Sequence, residues 1–116
     1  MLHKYFNRSE FACKCGCGFD VVDAELLQFL VAVREHFNAP VTINSACRCE
    51  SHNRRVGGST GSLHKTGRAA DIVVAGVEPA DVVHFLDNVM SPGGLGEYST
   101  FTHVDSRSGA ARWCGE

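Results

Sequence analysis

Between residues 24 and 37, apolar side chains return every three to four positions. Leu26, Leu30, Val33 and Phe37 form one stripe, and Leu27 and Phe29 widen it. That period predicts an amphipathic helix with its stripe turned to a core. Asp23 stands where a helix is capped, and Asn38-Ala39-Pro40 where one stops. A second helical period follows Pro79, a residue suited to a first helical position. Val82, Leu86 and Val89 share one side, with Val83, Phe85 and Met90 nearby and His84 and Asp87 on the wetter face. Ser91-Pro92-Gly93-Gly94 ends that segment.

Elsewhere the period is two. Val41-Thr42-Ile43-Asn44 is a short β-branched strand. Residues 68–75 enter a strand from a turn at Gly67, with Ala69, Asp71 and Val73 on one face and Ala70, Ile72 and Val74 on the other. Residues 95–98 and 101–107 read as two short strands or one interrupted strand, and 110–113 as a hairpin partner after Ser108-Gly109. Residues 45–61 are polar and aperiodic, which predicts a loop. Leaving a strand, such a loop makes a natural substrate-binding wall. Residues 4–19 read as an irregular arm in which Ser9 and Glu10 open at most one helical turn before Gly16 and Gly18 break it.

The elements amount to an α+β domain with a small antiparallel sheet and two main helices, spanning residues 1–116 with a cysteine-bearing arm over 1–20. A chain of 116 residues has room for one modest core. The net charge of −2 offers no basic field for nucleic acid. No apolar run approaches the roughly 20 residues of a membrane span, and the start lacks the apolar region of a signal peptide. Synthesis in the cytoplasm and a monomeric state are the expectations.

Six cysteines are many for such a chain. Cys13, Cys15 and Cys17 sit together, Cys47 and Cys49 flank Arg48, and Cys114 lies near the end. The C-x-C-x-C spacing fits no common zinc ribbon. Three readings stand side by side: packing or disulfide-linked cysteines that tie the arm down, a second, structural zinc site, and redox chemistry.

The chemistry concentrates in Ser62-Leu63-His64-Lys65-Thr66-Gly67-Arg68-Ala69-Ala70-Asp71 and in Phe101-Thr102-His103-Val104-Asp105. Two histidines and a carboxylate, His64, Asp71 and His103, make the three-ligand set of a catalytic zinc site with a fourth position for water. A hydrogen-bonded structural loop and a satisfied core histidine account for the same residues equally well. Asp105 follows His103 on the same strand face, about 6–7 Å along. It suits either a general base for the zinc water or a carboxylate that orients a ligand. Glu97 lies about 20 Å from His103 along a straight strand, so only a turn at Ser99-Thr100 brings it back. His52 is a further loop candidate.

The pattern Ser62-x-His64-x-x-Gly67-x-Ala69-x-Asp71 followed by His103 resembles the zinc D-Ala-D-Ala carboxypeptidase and L-alanyl-D-glutamate endopeptidase family, and within it the small bacterial and phage branch. The likeness extends through Ile43-Asn44-Ser45-Ala46-Cys47-Arg48, Asn53 and Gly57-Gly58. It implies a hedgehog-like fold, one catalytic zinc on His64, Asp71 and His103, and peptidoglycan stem peptides as substrate. Arg48, Asn53 and Ser62 are then the substrate-contacting residues, Arg48 also meeting the tetrahedral intermediate. Many relatives carry an acidic residue three positions before the last zinc histidine, or a histidine two before it. Here those positions hold Thr100 and Phe101. Asp105, ahead of Glu97, is left to take the water's proton. A phage endolysin released by a holin, acting on the cell wall, suits the missing leader. A module that kept the fold and lost catalysis, for wall binding or phage structure, is the alternative, and position 100 is its support.

Overall fold

The computed structural model describes residues 4–90 and 93–115. The Ser91-Pro92 part of the predicted helix stop lies outside the described residues. An arm carrying one 3-10 turn (Arg8–Phe11) leads to α1 (Ala24–Phe37), β1 (Val41–Ser45) and α2 (Glu50–Arg55). A second 3-10 turn (Leu63–Thr66) precedes β2 (Ala69–Val74), α3 (Pro79–Val89), β3 (Gly93–Glu97), β4 (Thr102–Asp105) and β5 (Ala110–Cys114). The α+β expectation holds, with a short third helix added.

The α1 helix forms as its pattern predicts. The Asp23 carboxylate accepts from the Leu26 backbone N–H at 3.1 Å, and Asn38 closes the helix with φ of +49°. Leu26, Leu30 and Val33 are fully buried. In α3, Pro79 opens the helix, Val82 and Leu86 are buried, and His84 and Asp87 face solvent. Val89 departs from its expected place and is 54% exposed. The chain turns to extended backbone at Met90, whose side chain fills the last core position instead.

The strand order is β1-β2-β4-β3-β5. All neighbours run antiparallel except β5, which lies parallel to β3. The expected hairpin between β4 and β5 is thereby corrected. Both edges of β4 are already paired, to β2 and β3, so the returning chain crosses to the free edge of β3. The loop expected over residues 45–55 is also corrected, since it contains α2. That helix has no apolar stripe to reveal it, and Asn53 is its buried residue. It is fixed at its start by the Cys49 sulfur, which accepts from the His52 N–H.

One sheet face carries Ala70, Ile72, Val74, Leu95 and Val104, and α1, α3 and the arm residues Phe6 and Phe11 join them in a single core. Burial of each large apolar side chain contributes about 1.5–3 kcal/mol, so this face is committed to packing. Alternation turns Asp71, His103 and Asp105, on the same strands, to the opposite face.

Candidate metal centre

Each of the three predicted ligands is placed by a different device. His64 sits on the 3-10 turn before β2, where the Ser62 hydroxyl accepts from its backbone N–H at 3.2 Å. Its ring Nδ1 lies 2.7 Å from the carbonyl of buried Ala46. A carbonyl only accepts, so Nδ1 carries a proton, and it is Nε2 that is left to face Asp71 and, in the neutral ring, to offer a lone pair. Asp71 and His103 are direct cross-strand partners in β2 and β4, which brings their side chains together on one face. Asp71 Oδ2 is 3.4 Å from His64 Nε2, and Asp71 Oδ1 is 3.0 Å from His103 Nδ1.

The remaining nitrogen of His103 is held from behind. Nε2 lies 2.8 Å from Asp105 Oδ2. Asp105 is completely buried and takes two bonds from the Arg107 guanidinium, at 2.8 and 2.7 Å, and one from the Arg107 backbone N–H at 3.1 Å. Gly94 stands opposite Asp105 in β3, and a Cβ there would lie 2.3 Å from the Asp105 carboxylate. Gly96, opposite His103, likewise leaves room for the Trp113 indole, which a Cβ would meet at 2.5 Å. Two glycines in β3 thus open the site face.

The electrostatics follow from this packing. Burial alone would raise the Asp71 carboxyl, but hydrogen bonds from His103 and His64, and their charge, hold it well below the usual carboxylate range. Burial would likewise raise Asp105, and His103 and Arg107 outweigh it. His103 moves the other way: burial opposes its charged form, yet Asp105 and Asp71 lift it above an ordinary imidazole.

In the metal-free protein His64 Nε2 and His103 Nδ1 share protons with Asp71. Once both rings are neutral, with His103 Nε2–H donating to Asp105, His103 Nδ1 joins His64 Nε2 and the Asp71 carboxylate as a third acceptor, the group lying within 4.8 Å of one another. Acceptors crowd in this way only around a proton or a cation. Zinc bonds of about 2.0–2.2 Å in tetrahedral geometry separate neighbouring ligand atoms by about 3.4 Å. The 3.4 Å between His64 Nε2 and Asp71 Oδ2 matches that spacing, and the 3.0 Å between His103 Nδ1 and Asp71 Oδ1 is the length of a direct hydrogen bond that an ion would replace. The set leaves a fourth position, and it faces a cleft of about 560 Å3. Arg48, Ser62, Tyr98, Phe101, Arg107 and Trp113 are among its walls.

The family model described as Peptidase M15 matches residues 4–105. The chain belongs to that family. M15 peptidases are zinc-dependent metallopeptidases, and the donor set here suits their metal. No curated protein sequence matches the chain.

Against this M15 site, the other sequence candidates divide. Arg48 reaches the cleft from the segment after β1, half-buried, with Nη1 3.2 Å from Asn53 Oδ1 and Nε buried without a partner among the described residues. Burial lowers its pKa, against the pull of Asp71 and Cys13. Asn53 is not on the cleft: it is 1% exposed, and its amide also donates to the Ser59 carbonyl at 2.8 Å. Its expected contact with substrate is corrected to bracing Arg48 and the following loop. Ser62 is on the cleft wall, where its oxygen is engaged in capping His64. Glu97 pairs with Thr102, one residue before His103, and so projects from the opposite face. The chain does turn back between Tyr98 and Phe101, but that register carries Glu97 away from the ligands, which corrects its candidacy as base. Arg107, Trp113, Tyr98 and Phe101 went unread in the sequence. The i, i+2 alternation His103, Asp105, Arg107 was the available signal for the first.

Proposed function

We propose that this M15 chain is an active zinc peptidase that hydrolyses an amide bond in peptidoglycan stem peptides. The observation that carries the reading is the convergence of three acceptor atoms at the base of a cleft with an arginine in its wall. A zinc ion held by His64 Nε2, the Asp71 carboxylate and His103 Nδ1 would supply a water of lowered pKa and polarise the scissile carbonyl. The chain's own residues do the rest. The Ala46 carbonyl keeps the His64 proton on Nδ1, and Asp105 keeps the His103 proton on Nε2, so both rings point a lone pair at the metal position. Asp105, its oxygens taken up by His103 and Arg107, orients a ligand; that is the second of the two roles its place in the sequence allows. Arg48 offers a guanidinium on the cleft wall, suited to a peptide carboxylate or to the oxyanion that forms at the carbonyl. Trp113, Tyr98 and Phe101 give the far wall an apolar surface for the small methyl side chains of stem peptides. Action on the wall places the protein beyond the membrane, where a phage holin is one means of release.

A specific observation favours a second reading. Among the described residues, Asp71 and Asp105 are the carboxylates on the cleft wall, and both are fully engaged. A zinc-stabilised module that binds wall peptides without cutting them needs no free carboxylate.

Mass spectrometry of purified peptidoglycan and its soluble muropeptides, incubated with zinc-loaded protein, separates the two. The peptidase reading predicts new peptide termini, lost with chelator, regained with zinc and absent with Asp71→Ala. Loss of a single terminal residue marks a carboxypeptidase, and internal fragments mark an endopeptidase. Retention on the wall with no new termini would replace it by the binding module.

A further inference from the structure

A second cluster lies outside the cleft. The sulfurs of Cys13, Cys15, Cys17 and Cys49 all fall within 4.8 Å of one another. Three come from the arm and the fourth from the N-cap of α2. Sγ–Sγ distances are 3.4 Å for Cys13–Cys15, 3.8 Å for Cys13–Cys49 and 3.6 Å for Cys15–Cys49. Tetrahedral zinc with Zn–S bonds of about 2.3 Å requires sulfurs about 3.8 Å apart. None of the six cysteines is in a disulfide. Three nearly equal separations are the pattern of ligands around a point, not of paired thiols. Cys47 and Cys114 stand outside the group.

The backbone is shaped around the same point. Gly16 and Gly18 both take positive φ, at 84° and 90°, which curls C-x-C-x-C so that three alternate side chains converge. The Cys13 N–H to Phe19 carbonyl bond, 2.7 Å, closes that curl. Two backbone N–H groups point at sulfur: Cys49 N to Cys13 Sγ and His52 N to Cys49 Sγ, each 3.4 Å. Such bonds support thiolates bound to a metal.

We propose that Cys13, Cys15, Cys17 and Cys49 form a closed, structural four-thiolate site for zinc or a similarly thiophilic divalent ion. Four protein ligands leave no open position, so the ion has no part in hydrolysis. It staples the arm, which has one 3-10 turn of its own, to the start of α2. Cys49 directly follows Arg48, whose backbone N–H is tied to the His64 carbonyl at 2.8 Å. The staple therefore fixes the wall from which Arg48 enters the cleft, a consequence that rests on the peptidase reading; the site itself does not.

Cobalt substitution of protein purified under reducing conditions tests it. The expected result is an intense near-ultraviolet thiolate-to-metal charge-transfer band, retained in His64→Ala and lost in the double variant Cys15→Ser, Cys17→Ser. Zinc analysis should give two equivalents in wild type and one in each variant. A cobalt-loaded wild type without the band, or thiols that all react with a thiol reagent at full zinc loading, would overturn the site. Both readouts use wild type, so a variant that does not fold leaves the decision intact. The band in a protein that cuts no wall peptide would support this site while the peptidase reading failed; cleavage without the band would do the reverse.

Discussion

The two ligand clusters are built in opposite ways. His64, Asp71 and His103 are positioned by a capped turn and by cross-strand pairing, on the back of a sheet whose other face is a packed core. Their geometry persists because moving one of them means moving a strand or the capped turn that leads into one. The four cysteines hang on an arm and a helix cap, with Cys15 and Cys17 exposed. Their geometry has no sheet behind it and depends on what the sulfurs hold. A catalytic site is thus made rigid in advance and left one ligand short, whereas a structural site is completed by its ion and in turn supplies the rigidity.

The contrast is broken most severely at a strand ligand. His103→Ala should abolish cleavage and one metal equivalent while leaving the circular dichroism spectrum unchanged, because the core lies on the other face. Loss of the fold instead would make the histidine structural. Arg48→Ala should come next, with cleavage falling about 10²- to 10³-fold if the guanidinium meets the oxyanion. Its metal content should not move, which elemental analysis would check. Asp105→Asn removes the carboxylate behind His103, and such outer partners are worth about 10- to 100-fold in metal affinity or activity. Competition against a zinc indicator should show that loss directly.

Smaller effects come from protons. Without metal, His103 has a raised pKa and contributes stability that is full below its ordinary value of 6.5 and lost as pH rises through the raised one. Asp71 and Asp105 are depressed and contribute above their ordinary value of 3.8, losing it as pH falls through the lowered ones. The metal-free protein should therefore melt highest between about pH 4 and 6.5, and less well above, while the zinc-loaded protein gains from rising pH as His103 gives up its proton. Melting curves with and without chelator would show slopes of opposite sign. Least of all, Glu97→Gln should change stability by under about 0.5 kcal/mol and leave cleavage unaltered; a large loss would return Glu97 to the site.

How far the sequence anticipates these regions follows from the same contrast. Periodicity reveals α1, α3 and the two faces of β2, because burial on one side imposes it. The same alternation that sends Ile72 and Val74 inward turns Asp71 outward, so the strand ligands were legible with the core. Helix α2 was not, since it turns on a sulfur cap and one buried asparagine. The parallel β3–β5 pair depends on which edges remain free, a global property absent from any local pattern. Asn53 and Glu97 were misplaced because their direction is set by burial and register, whereas composition shows only that they are polar.

The most direct test of the central site is a crystal grown with zinc and measured on both sides of the zinc absorption edge. The expected result is an anomalous peak within about 2.0–2.2 Å of His64 Nε2, the Asp71 carboxylate and His103 Nδ1, with one further position open to the cleft. A zinc-saturated crystal with no peak there, and with Asp71 still hydrogen-bonded directly to both histidines, would contradict it.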